Sequence, residues 1–259
     1  WTVALVLTPT FVDGLAMTID YWNIEVDDTL STVPPSTALN QCLLTGSAEY
    51  CNLITRDSQG TLWLLPEANI VATNVNIGTT KTSGWDVGVN YDLAIGDYGS
   101  LRFAFMGTLL DEFVNTPLPG VSSYDCAGLY GPEFCGTPLP ELRTRLRTTW
   151  ATPWNVDVSL NWRYFDEVSI EYTSSDPDIG NPANVYPFGK TLDAQNYLDL
   201  AVVYTYAEKY TFSAGINNLT DEDPPLSGQV GTGFGNGNTF PQVYDALGRY
   251  VFVGLQAKF

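Results

Sequence analysis

Histidine is absent from all 259 residues, and that one absence removes a large part of enzyme chemistry. Ser-His-Asp triads, HExxH metal sites and histidine general bases cannot be assembled within this chain. A barrel-type lipase is disfavoured on the same ground. Walker and dinucleotide-binding glycine signatures are missing too. The glycine-rich stretch 231–237 neither follows a strand nor opens a helix, so it reads as a loop. The expectation is a protein with no catalytic residue, no resident metal, no cofactor and no nucleic-acid partner. No run of ~18 apolar residues occurs, which excludes a transmembrane helix. Nor does the chain open on Met, a signal peptide or an anchor motif. Trp1 falls inside the strand-like run WTVALVLTP, so the chain reads as part of a longer protein.

What is present is alternation, clearest at the end. Residues 244–259 read YDALGRYVFVGLQAKF. Val251, Val253, Leu255, Ala257 and Phe259 share one strand face, and Tyr250, Phe252, Gly254, Gln256 and Lys258 the other. An apolar row running up to the last carboxylate suits the closing strand of a membrane barrel, with lipid on one side and water on the other. A mean hydropathy of −0.03 with 44% hydrophobic residues fits such a wall, because only every second residue faces lipid. The 13% aromatic content fits interfacial girdles, and equally a soluble lectin or sandwich.

Reading back from the end, the period of two marks strands at about 1–9, 15–26, 78–95, 100–110, 142–151, 156–165, 194–206, 210–217 and 244–259. Short turns join them in pairs, and long loops at 27–77, 111–141, 166–193 and 218–245 separate the pairs. This asymmetry is that of an outer-membrane barrel, with short periplasmic turns and long extracellular loops. A short helix is expected at 36–44 and a small hairpin at 53–65. The fold class is therefore all-β, a transmembrane antiparallel barrel. A soluble β-sandwich or propeller would have shorter strands and less segregated loops.

Four cysteines form two pairs of equal spacing, Cys42 with Cys51 and Cys126 with Cys135. Two local disulfides are the simplest connectivity and imply an oxidising compartment. Zinc is the competing reading, weakened by the missing CxxC spacing and the lack of histidine.

Charge is equally uneven. The chain has 29 acidic and 11 basic residues, a net of −18, and the four long loops hold 20 acidic residues against Arg56 and Lys190. Such loops repel one another and stay soluble; 175–178 and 221–223 are the best candidates for a bound cation, although neither matches an EF-hand. Arg143, Arg145 and Arg147 share one strand face, and Arg102 and Arg163 occupy the polar faces of neighbouring strands. A charge at the lipid midplane costs ~2–4 kcal/mol, so all five are expected to face the lumen. There they would pair with Asp86, Asp92, Asp157, Asp199 or a plug, or touch a passing anion.

The element NNLTDEDPP at 217–225 resembles the NLxDxxPP element after the penultimate strand of TonB-dependent outer-membrane receptors. Tyr244, Asp245, Gly248, Arg249, Tyr250, Gly254 and Phe259 are similar to that family's closing strand. IDYW at 19–22, LNQC at 39–42 and TSGWD at 82–86 extend the likeness over nearly the whole chain. The resemblance implies a barrel of about 22 strands plugged by an N-terminal domain, of which this chain would supply the last nine. It also implies TonB as a partner through an N-terminal segment not in this sequence, membrane lipid and lipopolysaccharide around the wall, and room for a surface lipoprotein at the mouth. The expected function is active import of a scarce nutrient, a siderophore or oligosaccharide. A passive substrate-specific porin and a secreted all-β carbohydrate-binding module are the alternatives. Trp63, Tyr124, Tyr130, Tyr172 and Tyr186 are the aromatic ligand-contact candidates in the long loops, since exposed rings suit both sugar faces and siderophore rings.

Overall fold

A computed structural model describes residues 1–228 and 237–258. Positions 231–236 of the glycine-rich stretch, and Phe259 of the closing strand, lie outside the described residues. Nine strands follow one another along a single sheet: Thr2–Leu7, Leu15–Thr32, Asn74–Ala94, Ser100–Thr116, Leu142–Ala151, Val156–Phe165, Gln195–Tyr206, Tyr210–Asn217 and Tyr250–Ala257. Each lies beside its neighbour in sequence, across the long connections as well as the short ones. Trp1–Ile24, Thr82–Phe113 and Asp125–Phe259 make one compact unit, and Glu25–Lys81 with Val114–Tyr124 a second.

In the first unit the antiparallel registers sort side chains into two faces. One row crosses the sheet as Leu101, Trp150, Val158, Val202, Ala214 and Val253, and the next as Phe103, Thr148, Leu160, Leu200, Ile216 and Val251. The alternate rows bring Arg147, Asn161 and Asp199 together, and Arg145, Arg163 and Tyr197. A one-residue slip would exchange these faces, so the alternation fixes the register. The apolar face is open, with Val253 82% exposed, and such a surface is stable only against apolar surroundings.

Aromatic rings cluster at both ends of that face. Near the short turns, Trp150 packs edge-on to Trp154 at 6.3 Å and donates its indole N–H to the Tyr98 carbonyl at 2.9 Å; Tyr204 stacks on Phe212. Toward the other end, Trp1, Tyr21 and Trp85 form a chain with centroids 5.2 and 4.8 Å apart, and Trp162 lies beside Tyr164. Rings with a polar edge favour the two boundaries of a bilayer.

The turns show the backbone that short connections need. Gly99 has φ +95, and a Cβ there would strike the Ala151 carbonyl. At 207–209 the left-handed positions are held by Ala207 (φ 50) and Glu208 (φ 58), without glycine.

The second unit has its own order. The helix Pro35–Thr45 starts with proline in its first turn and ends at Gly46, whose N–H reaches the Cys42 carbonyl at 3.0 Å, the expected start and stop devices. The Cys42–Cys51 disulfide ties it to the short helix Ala48–Cys51. Val33, Ala38, Tyr50 and Leu118 are buried together, and the Tyr50 hydroxyl donates to the Pro119 carbonyl at 2.6 Å.

Several boundaries differ from the sequence reading. The second, third and fourth strands run on to Thr32, back to Asn74 and on to Thr116. Cross-strand bonds of Thr32 to Asn74 (2.6 Å), Thr79 to Asp27 (3.3 Å) and Thr80 to Asn115 (3.0 Å) continue the ladder where the apolar alternation has stopped. The pairing expected within 53–65 joins Ile54–Thr55 to Asn69–Ile70 instead. Asp57 organises the intervening residues: its carboxylate accepts the N–H of Gln59, Thr61 and Leu65 and the Thr61 hydroxyl. The Thr61 hydroxyl bond above all holds the Asp57 carboxyl below its usual range. Lastly, the closing strand begins at Tyr250 rather than 244, because Asp245 is drawn to Arg163 and Gly248 turns with φ +67.

Candidate functional site

The polar face of the sheet converges on Arg163. Its Nε and one terminal nitrogen donate to the two oxygens of Asp199 at 2.9 and 3.0 Å, and its terminal nitrogens reach Asp245 at 2.9 and 2.5 Å. Its guanidinium also lies 4.9 Å from the Tyr197 ring centroid. Asp199 accepts two further bonds, from the Asn161 amide at 2.8 Å and the Asn218 backbone N–H at 3.0 Å. One arginine thus joins the sixth strand, the seventh strand and the connection leading into the ninth. Paired forks of this kind fix geometry as well as charge.

Beyond that node, Asn218 takes a left-handed turn (φ 51) and its amide clasps the backbone N–H and carbonyl of Glu222, each at 2.9 Å. Asp221 pairs with Arg249 at 3.2 Å. The NLTDE segment is therefore a strand-to-loop fastening, and its Asp221 is already engaged. Among the described residues, no group of three or more His, Cys, Asp or Glu is arranged to hold a metal ion.

The long connections of the first unit carry a compact core. Leu129–Tyr130, Val168–Ile170 and Thr191–Leu192 form a three-stranded sheet, and Tyr130, Val168, Ile170, Tyr172, Leu192, Phe240 and Tyr244 are buried together. The Tyr130 hydroxyl bonds the Gly189 carbonyl and lies 2.9 Å from Ser227 Oγ. Burial pushes the Tyr130 hydroxyl up, as it does that of Tyr244, while burial and then a bond to Glu133 push Tyr172 up to about 12. Beneath them lies Glu171, fully buried, whose carboxylate accepts the backbone N–H groups of Glu133, Phe134 and Cys135 at 2.9, 3.0 and 2.8 Å. The loop supplying those donors is closed by the Cys126–Cys135 disulfide. Gly131 is required there because a Cβ would collide with the Glu171 carboxylate.

The five aromatic candidates divide. Trp63, in the second unit, is 78% exposed and Tyr186, in the first, 62%. Tyr130 and Tyr172 are buried instead, as pillars of the loop core. Tyr124 is half-buried in the second unit. Phe188, 61% exposed two residues after Tyr186, escaped the sequence reading. The arginines divide too. Arg163 meets Asp199, one of the four carboxylates considered, and Asp245 in addition, and Arg102 comes within 3.8 Å of Asp157. Arg143 turns to the Pro138 carbonyl and Arg145 to Asn161. Both cysteine pairs are disulfides. Glu171, Asn161 and Asp245 were missed as structural hubs; for Asn161 the signal was its place in the polar row beside the arginines.

The family model described as TonB dependent receptor-like, beta-barrel, matches residues 1–219. A mutant of the ferric enterobactin receptor PfeA from Pseudomonas aeruginosa superposes with a TM-score of 0.59 at 13% identity, covering 100% of this chain and 30% of that one. The FrpB iron transporter from Neisseria meningitidis gives 0.57 at 13% identity, with 100% and 30% covered. The siderophore receptor PirA from Acinetobacter baumannii gives 0.55 at 12%, with 100% and 31% covered. At these identities the likeness establishes the fold. The chain spans about 30% of the length of these receptors. None of the curated proteins compared matches significantly.

Proposed function

The chain belongs to the TonB-dependent receptor family, and on that premise we propose that it forms the C-terminal part of an outer-membrane barrel importing a scarce nutrient with energy delivered through TonB. The carrying observation is the two-faced sheet. Its apolar rows, bounded by aromatic rings at both ends, suit lipid, and its arginine-bearing rows suit a water-filled or plugged lumen. The long connections then lie outside the cell and the turns at 95–99, 152–155 and 207–209 on the periplasmic side. On this reading the excess negative charge and both disulfides face the exterior.

Ligand capture falls to exposed rings on the long connections, Tyr186 and Phe188 in the first unit and, separately, Trp63 in the second, with the buried core of Tyr130, Tyr172 and Tyr244 holding the first-unit loops in place. Loops pinned by a packed core lose less entropy on binding. The siderophore receptors among the structural neighbours make ferric siderophores the first ligand class to test, with oligosaccharides second. The test is uptake by cells producing the full-length protein, compared with cells lacking it, with cells lacking TonB and with uncoupled cells. Saturable uptake lost in all three supports the reading. Uptake that survives loss of TonB and uncoupling identifies a passive porin instead, and a full-length protein soluble without detergent contradicts a membrane barrel altogether.

A further inference from the structure

Arg145 and Arg147 differ from Arg102 and Arg163 in having no carboxylate within salt-bridge distance among the described residues. Arg145 is directly opposite Arg163 in the sheet register, and Arg147 is opposite Asn161. Like charges placed opposite one another repel. Arg163 escapes that repulsion by holding both Asp199 and Asp245. Asp199 has its four acceptor positions filled, two by Arg163, one by Asn161 and one by the Asn218 N–H, and a carboxylate offers about four. Arg145 is left with the neutral amide oxygen of Asn161 at 2.7 Å. Arg147 has no carboxylate within salt-bridge distance among the described residues.

These two guanidiniums and Arg163 line one cavity of about 360 Å³, together with Ser159, Asn161 and Asn217. Arg147 also borders a second cavity of about 440 Å³, but there Arg102 and Arg147 are matched by Asp92 and Asp157, so that cavity carries no surplus and Arg102 stands outside the site. We propose that Arg145 and Arg147 form a binding site for a small oxyanion, a carboxylate or phosphate group. Each guanidinium presents a planar fork of donors suited to either group. Ser159 Oγ, 3.0 Å from Thr149 Oγ1, stands at the cavity wall and can donate to a ligand when Thr149 is the donor of that pair. In a chain with a net charge of −18, this cavity sets three guanidiniums against two carboxylates, Asp199 and Asp245, and Arg163 holds both of those. The oxyanion has two sources: a free solute, or an acidic side chain of polypeptide filling the lumen of the full-length protein.

The test uses the purified full-length protein in detergent, with citrate and inorganic phosphate as probes, so it is read independently of uptake. R145Q/R147Q is compared with wild type and with R102Q, whose carboxylate partner is Asp157. A free-solute site gives wild-type binding that weakens at least tenfold in R145Q/R147Q, stays within about twofold in R102Q, and falls with added salt. An internal acidic occupant gives no probe binding, a lower melting temperature in R145Q/R147Q, and a larger drop in R145E/R147E. The opposite sign overturns the proposal: no probe binding and R145Q/R147Q melting at or above wild type, as relief of bare repulsion requires. Probe binding unchanged in R145Q/R147Q overturns it equally.

Discussion

The sheet and the long connections treat their apolar residues in opposite ways. Along the sheet, Leu160, Val202, Phe212, Val251, Val253 and Leu255 stand exposed on one face. In the connections, Tyr130, Ile170 and Leu192 of the first unit, and Ala38 and Tyr50 of the second, are buried as in a small globular domain. The usual division, a packed core with exposed loops, is inverted. The sheet turns its apolar rows outward and depends on apolar surroundings to cover them, whereas the connections carry buried cores of their own.

Removing a pillar of a loop core is expected to have the largest effect. Tyr130→Ala should cost ~3–5 kcal/mol of local stability and strip hydrogen-exchange protection from 129–130, 168–170 and 191–192, while membrane assembly is unchanged. Loss of assembly as well would erase the distinction between loops and sheet. Next comes a charge on the apolar face: Leu200→Arg should cost ~2–4 kcal/mol if the site is near the bilayer midplane. Ala201→Glu, one position along on the polar face and beside Arg145, Arg147 and Arg163, should cost little. Heat-modifiable mobility of the folded barrel reads both, and equal effects would deny that the two faces meet different solvents.

Glu171→Gln keeps an acceptor but removes the charge from the three N–H donors, with an expected loss of ~1–3 kcal/mol in the first-unit loops. Limited proteolysis near Cys126 and Cys135 would register it. The smallest effect is a gain. Glu208→Gly removes a side chain from a left-handed position, where L-residues are disfavoured by ~1–2 kcal/mol, so the melting temperature should rise slightly. In the second unit, the Asp57 carboxyl is held low in the folded state. Its contribution is therefore present above the unfolded-state value and is lost as pH falls through the folded one. Asp57→Asn should abolish that acid dependence of protection around 57–65.

Periodicity made the sheet legible because it is a local property. Val156, Val158, Leu160 and Trp162 alternate with Asp157, Ser159, Asn161 and Arg163 whatever lies elsewhere in the chain. The loop cores were not legible, because their contacts join residues far apart. Tyr130 meets Ser227, and Glu171 meets the N–H groups of 133–135, pairings that no spacing rule encodes. The same limit explains the aromatic candidates. Tyr130 and Tyr186 look alike in a loop sequence, and only packing makes one a pillar and the other a surface ring. Arg163 illustrates a middle case: its face followed from alternation and Asp199 was one of four carboxylates on offer there, whereas Asp245, at the start of the expected closing strand, is drawn out of it by the ion pair.

The central claim is that the long connections face the exterior and the short turns the periplasm, with the sheet crossing the membrane between them. It is tested most directly by labelling intact cells that produce the full-length protein with a membrane-impermeant maleimide. All four native cysteines are in disulfides, so a single introduced thiol in this part of the protein reports alone. Tyr186→Cys, on a long connection, should label in intact cells, and Glu208→Cys, in a short turn, only after the outer membrane is permeabilised. Labelling of Glu208→Cys in intact cells, or protection of Tyr186→Cys until permeabilisation, would contradict the account.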